Sequence, residues 1–204
     1  MFEEYFPSQL LANAVKEFSK LPGIGEKTAL RLVLHLLKQD KEQVRVFAKS
    51  IIELKENSYR CKICHNISDN EICDICNSSH RDHSVICVVE DIQDLLAIER
   101  THQYNGVYHI LEGIISPLIG VSPSDINIQS LEERVRKEDI KEVILALNTT
   151  TEGEATSLFI YKRISQYPIS ITTIARGVAF GDELQYTDEI TLARSITERK
   201  PFKN

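Results

Sequence analysis

The chain has 204 residues, 42% of them hydrophobic and 26% charged, which suits one large domain or two to three small ones with a packed core. Apolar runs such as Val85 to Val89 are far too short to cross a bilayer, and Met1–Phe6 has neither a basic start nor an apolar core, so no membrane span and no signal peptide are expected. The net charge of −6 counts against a broadly basic nucleic-acid binder, so any DNA contact must rest on a local cluster of Lys and Arg.

The first segment, 8–57, reads as three helices. Ser8 is placed to cap the first, with Leu11, Val15 and Phe18 at helical spacing; Leu21-Pro-Gly-Ile-Gly25 interrupts the pattern. From Glu26 to Gln39 the apolar positions Leu30, Val33, Leu34 and Leu37 mark a second helix. After Asp40, Val44, Phe47, Ala48, Ile51 and Ile52 mark an amphipathic third. Residues 58–82 are cysteine-rich and polar, without periodicity. From Ser84 the pattern turns α/β. Strands are predicted at 85–89, 107–111, 143–147 and 169–174, and helices at 91–101, 153–166 and 188–199. Ser130-Leu-Glu-Glu133 reads as a capping box opening a further short helix. Alternating strands and helices predict a mostly parallel sheet.

Cys61-Lys-Ile-Cys64 and Cys73-Asp-Ile-Cys76 are two C-x-x-C knuckles eight residues apart. Thiolates suit Zn²⁺, and two knuckles supply a closed shell of four sulfurs, so one structural zinc per chain is expected. A cytosolic compartment, where thiols stay reduced, fits that use better than disulfides. His65, His80 and His83 flank the cluster and could substitute for a sulfur, while Cys87 falls in a strand and reads as core.

The turn Leu21-Pro-Gly-Ile-Gly25 opens on a helix that carries Lys27, Arg31 and Lys38 on one side, with His35 nearby and the apolar set facing elsewhere. Gly23 and Gly25 let the backbone approach a phosphate, and the free N–H groups of a helix start can bind it. Together these predict a helix-hairpin-helix element that grips the DNA backbone without reading sequence. A nucleotide P-loop does not fit, because Glu26 separates Gly25 from Lys27 and no strand precedes the turn.

Glu90, with Asp91 and Asp94 after it, stands at the carboxyl end of the first predicted strand; Glu152 and Glu154 follow the third. Strand ends of this kind form the crevice of open α/β sheets, where carboxylates can hold Mg²⁺. First-turn acids complementing a helix dipole explain Asp91 and Asp94 as well. They explain Glu152-Gly-Glu154 less well, since like charges so close need a cation.

Taken in order, Leu21-Pro-Gly-Ile-Gly-Glu-Lys-Thr-Ala29, the four cysteines, Val88-Val-Glu90, Glu152-Gly-Glu-Ala-Thr156 and Thr187-Asp-Glu-Ile-Thr-Leu-Ala193 resemble the RecR family of bacterial recombination mediators across essentially the whole chain. The resemblance implies a helix-hairpin-helix region at 1–57, a four-cysteine zinc finger at 58–82, a Toprim α/β domain at 83–176 and a C-terminal oligomerisation arm at 177–204. It implies no catalytic activity. It also implies a homotetrameric ring that clamps double-stranded or gapped DNA and works with RecO and RecF to load RecA, in the bacterial cytoplasm at the nucleoid. Lys27 and Arg31 are then expected to touch DNA, and the acidic face of Glu90, Asp94, Glu152 and Glu154 to meet RecO. Relatives in the wider Toprim class hold Mg²⁺ with a Glu and an Asp-x-Asp pair. The Glu-x-Glu here has longer arms, which weakens the expectation of Mg²⁺ and of the alternative reading, a Mg²⁺-dependent phosphoryl-transfer enzyme. The chain departs from the family pattern at Asn148-Thr-Thr150 and Val178-Ala-Phe180.

Overall fold

A computed structural model describes residues 6–201. The expectation drawn from Met1–Phe6 rests on residues that lie, Phe6 apart, outside the described ones, as do the outermost ends of the regions 1–57 and 177–204. The chain divides after Ser58 into two compact units.

The first unit is helical. Helix α1 (Gln9–Ser19) and α2 (Glu26–Leu37) pack through Val15, Ala29 and Val33, all buried, with Leu11, Phe18, Ile24 and Leu30 around them. Ser8 and Asp40 stand at the cap positions the sequence assigns them, but they cap through the backbone. Ala12 N–H donates to Ser8 O at 3.1 Å and Val44 N–H to Asp40 O at 3.2 Å, while neither side chain joins a cap bond. Helix α3 (Lys41–Asn57) is amphipathic as predicted, yet none of its residues is buried: Val46, Phe47, Ile51, Ile52 and Leu54 are exposed.

The second unit begins with the cysteine segment. Strands β1 (Tyr59–Arg60) and β2 (Ile67–Ser68) pair antiparallel, and a single turn of helix, α4 (Asp74–Asn77), follows. Neither element is legible in a stretch without periodicity. Then comes a four-stranded parallel sheet in the order β4-β3-β5-β6, made of β3 (Asp82–Val89), β4 (Gly106–Ile110), β5 (Glu142–Leu145) and β6 (Ser170–Thr173). All four strands and the parallel sense match the prediction, with ends shifted by one to three residues.

Side chains alternate across this sheet, as the pleat requires. Ile86 and Val88 enter the core beneath helices α6 (Ile128–Lys137) and α7 (Thr151–Ile164), where Leu131, Val135, Ile160 and Ile164 meet them. Cys87 and Val89 enter the opposite core with Leu95 of helix α5 (Ile92–Glu99), Tyr108 and Ile110. Burial on both faces explains why the strands read as unbroken apolar runs. Cys87 is core, as expected; burial among apolar neighbours pushes its thiol up to about 12.

The capping-box expectation is corrected. Helix α6 opens two residues before Ser130, at Ile128, with Asn127 at the cap position. Ser130 lies inside the helix, where its hydroxyl donates to Asn127 O at 3.1 Å and meets His65 Nε2 at 2.9 Å.

The outer edge of β4 is closed by side chains and by the cysteine segment. Ile110 N–H donates to Cys64 O at 2.9 Å, and Asn127 Nδ2 donates to Ile110 O at 3.1 Å. The buried Arg134 donates to Tyr108 O at 2.8 Å, and Arg81 to Gly106 O at 3.3 Å. Beyond β6, the chain passes through a short 3₁₀ turn (Leu184–Tyr186) to helix α8 (Glu189–Thr197), capped by Asp188 through Thr191 N–H.

Candidate functional site

The four cysteines converge. Their sulfurs all lie within 4.8 Å of one another, with Cys64 Sγ and Cys73 Sγ 3.5 Å apart, and all four side chains are buried. A tetrahedral zinc with Zn–S bonds of about 2.3 Å needs sulfurs roughly 3.8 Å apart, so the cage is the right size. Each knuckle is shaped by its backbone. His65 N–H donates to Cys61 O and Cys61 N–H to Asn66 O, with His65 itself at φ 65°; Asn77 N–H closes the second knuckle on Cys73 O. Hydrogen bonds from Cys64 and then Cys76 hold the Cys73 thiol far below the ordinary range, the contact with Cys73 raises Cys64, and contacts with Cys64 and then Cys73 raise Cys76. Four sulfurs this close cannot all be thiolates without a cation. A dication of thiophilic character answers that need, and the chain holds one structural zinc. None of the flanking histidines joins the cysteine cluster, and two are committed elsewhere. His65 meets Ser130, and His83 Nε2 meets Ser78 O at 2.8 Å.

The Pro-Gly-Ile-Gly turn takes the form its glycines imply. Gly23 sits at φ +75°, a conformation that penalises any side chain, and Ile24 N–H donates to Leu21 O at 3.1 Å to tighten the loop. Gly25 is the extended residue before α2, so the N–H groups of the first turn point outward, as at any helix start. Lys27, Arg31, His35 and Lys38 line one open groove of about 420 Å³. Leu30 and Leu34 share it, which corrects the expectation that the apolar set faces elsewhere: Ala29 and Val33 do the packing against α1. Among the described residues, Lys27, Arg31 and Lys38 have no ion-pair partner, whereas Lys20 pairs with Glu17 at 2.6 Å and Arg45 with Glu42 at 2.6 Å on the same unit. The groove offers unneutralised positive charge beside free backbone donors, the chemistry that a phosphate ester asks for.

The acids sit where the strand order puts them. β3 and β5 are neighbours, so Glu90 and the loop after β5 share one end of the sheet, and Asn148 Nδ2 donates to Glu90 Oε2 at 3.0 Å. Asp91 caps α5, accepting from Gln93 N–H at 2.7 Å and Asp94 N–H at 3.1 Å; Asp94 is raised by burial and by the Asp91 charge. Glu154 pairs with Arg176, and Arg194 lies 3.9 Å from the same carboxylate. Glu154 therefore takes its counter-charge from the chain's own arginines. Among the described residues, the cysteines form the only cluster of three or more groups placed to share a metal; Glu90, Asp94, Glu152 and Glu154 are not brought together as one. The rest of that motif is structural. Thr150 caps α7 through Gly153 N–H, a Cβ on Gly153 would run into Asn148 O, and Thr156 Oγ1 accepts from Ile115 N–H at 2.9 Å.

A second polar cluster escaped the sequence reading. Arg81 grips both oxygens of Glu99, at 2.9 and 2.6 Å, and Tyr108 OH donates to Glu99 at 2.7 Å. The guanidinium holds Glu99 below its ordinary value, and burial raises the Tyr104 and Tyr108 hydroxyls, which face the backbone and Glu99 and not solvent. Nothing local in Arg81 or Glu99 announces a partner eighteen residues away.

Comparison with known proteins covers nearly the whole chain. The model of the RecR helix-hairpin-helix matches residues 11–55, and that of the RecR four-cysteine zinc finger domain matches 59–78. The Toprim domain matches 84–175 and the RecR C-terminal region 177–200. The chain is 56% identical over 199 residues to a Recombination protein RecR of Bacteroides thetaiotaomicron, covering 98% of this chain and 97% of that protein. Proteins of the same name from Flavobacterium johnsoniae and Porphyromonas gingivalis are 54% identical over 198 residues and 50% identical over 204, covering 97% and 100% of this chain and 96% and 98% of theirs.

Proposed function

Since the chain belongs to the RecR family of recombination proteins, we propose that it is a non-enzymatic DNA-binding mediator of recombinational repair that holds the phosphate backbone with α2. The observation that carries this reading is the groove of Lys27, Arg31, His35 and Lys38 beside the glycine turn, whose three Lys and Arg side chains have no counter-ion among the described residues. Gly23 and Gly25 bring the backbone close to the phosphates and the α2 start donates N–H groups. Lys27 and Arg31 supply the charge that makes binding salt-dependent and indifferent to sequence.

The finer reading is a homotetrameric ring, working with RecO and RecF in the bacterial cytoplasm at the nucleoid to help load RecA on gapped DNA. What supports assembly is the uncovered apolar side of α3, with Val46, Phe47, Ile51 and Ile52 exposed, and the exposed Phe180, Tyr186 and Ile190 of the C-terminal arm. Among the described residues no helix is long and apolar enough to cross a membrane. The regions are those of the sequence reading, 1–57, 58–82, 83–176 and 177–204, with Glu90, Asp94, Glu152 and Glu154 as a partner surface and not a catalytic one.

Titration of labelled duplex and gapped DNA tests the central claim. Replacing Lys27 and Arg31 together by alanine is expected to weaken binding about 10- to 100-fold at low salt and to flatten the salt slope by about 2. Undiminished binding by that double variant sinks the assignment of the two residues. Incubation with supercoiled and gapped DNA plus Mg²⁺ or Mn²⁺ is expected to leave the DNA intact.

A further inference from the structure

The C-terminal arm is held by charge. No residue of α8 is buried, and Phe180, Tyr186 and Ile190 stand exposed along the arm, so apolar burial does little to fix it. Its attachments are polar. Arg176 pairs with Glu154 on the first turn of α7, and Arg194 of α8 reaches the same carboxylate at 3.9 Å. Val178 N–H donates to Ser195 Oγ at 3.2 Å, tying the start of the arm to its helix, and a Cβ on Gly177 would stand 3.3 Å from that hydroxyl. Two arginines, one just before the arm and one on its helix, thus converge on one glutamate.

We propose that Arg176 and Arg194 are a built-in counter-ion for Glu154, an ionic latch that closes the C-terminal arm onto α7 and that any other cation must open before it can take this carboxylate. The latch gives Glu154 two guanidinium counter-charges from the chain itself. It is also built to open. Arg176 Nε is buried without a hydrogen-bond partner among the described residues, so the guanidinium gives up a bond to sit there and regains water on release. Glu154 and Arg194 keep 41% and 43% of their side-chain surface in solvent, where an ion pair is weak and screened by salt. Occupation of Glu154 and freedom of the arm are then two readings of one equilibrium. The latch lies wholly within the second unit and does not depend on how α2 meets DNA.

Amide hydrogen exchange on the full zinc-loaded chain tests it. Glu154→Gln is expected to speed exchange across residues 177–197 about 3- to 10-fold while leaving β3 and β5 unchanged. Raising the salt is expected to do the same to the unaltered chain and nothing further to the variant. The charge exchange Glu154→Arg with Arg176→Glu and Arg194→Glu is expected to restore slow exchange in the arm. Unchanged exchange in Glu154→Gln overturns the latch. So does a loss of protection that spreads through the sheet and is not reversed by the charge exchange, since that marks a merely structural role.

Discussion

The two charged regions of this chain handle charge in opposite ways. On α2, Lys27, Arg31 and Lys38 lie open and unpaired among the described residues. Around the sheet several arginines are matched: Arg81 on Glu99, Arg60 on Glu112, Arg163 on Glu132, and Arg176 on Glu154. A matched pair projects little field past a Debye length of about 8 Å, whereas an unmatched row does. Net charge is therefore a poor guide to partners: a chain at −6 can present a positive groove if its excess acids lie elsewhere in the sequence.

The comparison can be broken or sharpened by experiment, beginning with the cage that organises the paired region. Cys61→Ser should abolish stoichiometric zinc in metal analysis, where the native chain gives one per chain. It should also lower Tm by roughly 10 °C or more, since each kcal/mol moves a chain of this size by about 2–4 °C and loss of a structural metal costs several. A retained zinc or an unmoved Tm would show that the shell is completed otherwise.

Acid is the next lever. His109 is fully buried, its Nε2 2.7 Å from Asn127 O, and burial followed by the Arg134 charge lowers it from 6.5 to about 3. A base depressed in the fold is neutral there while the unfolded chain takes up a proton, so its contribution is complete above about pH 6.5 and is lost as pH falls toward 3. His65, lowered by burial, acts with the same sign. Denaturant unfolding of the native chain and His109→Gln should show the native chain losing up to a few kcal/mol more between about pH 7 and pH 5 than the variant does. Parallel curves would remove His109 from the account.

On the unpaired side, the Lys27 and Arg31 double variant should cost about 1.4–2.7 kcal/mol in DNA binding with no change in Tm, because those side chains lie exposed and make no ion pair among the described residues. Charge reversal at Glu17 or Glu42, acids already paired on the same unit, should change DNA affinity far less. The smallest effect belongs to Gly23→Ala. It meets no neighbour within 4 Å, so its cost is backbone strain alone, about 1 kcal/mol of stability at φ +75°. Loss of DNA affinity well beyond that would mean the turn itself touches the ligand.

Much of this was legible in the residues. The cysteine spacing announced a cage of four sulfurs, the glycine turn announced a hairpin, and β-branched runs announced strands buried on both faces. What stayed hidden depends on partners far apart in the chain. The neutralisation of Glu154 comes from Arg176 and Arg194, which no local pattern connects to it. The α6 start moved because Asn127 holds the cap position while its side chain turns to Ile110 O, and Ser130 turns to His65 and not to a capping box. On α2, helical periodicity could say that Leu30, Val33 and Leu34 lie near one another; it could not say that Ala29 and Val33 would do the packing against α1. Small residues such as Ala29 carry little signal although they allow the closest approach.

The closed border of β4 has a consequence for how the protein is handled. An open strand border is a template for another strand, and this one is shut by Cys64 O on Ile110, by Asn127, by Arg134 and by Arg81. Only the first of these guards depends on a metal. Stripping zinc therefore frees one N–H at the end of an apolar strand, so chelated protein should self-associate through β4 before it unfolds, and light scattering would register that first. The finger thus covers one end of that border through Cys64 O for as long as zinc holds its fold.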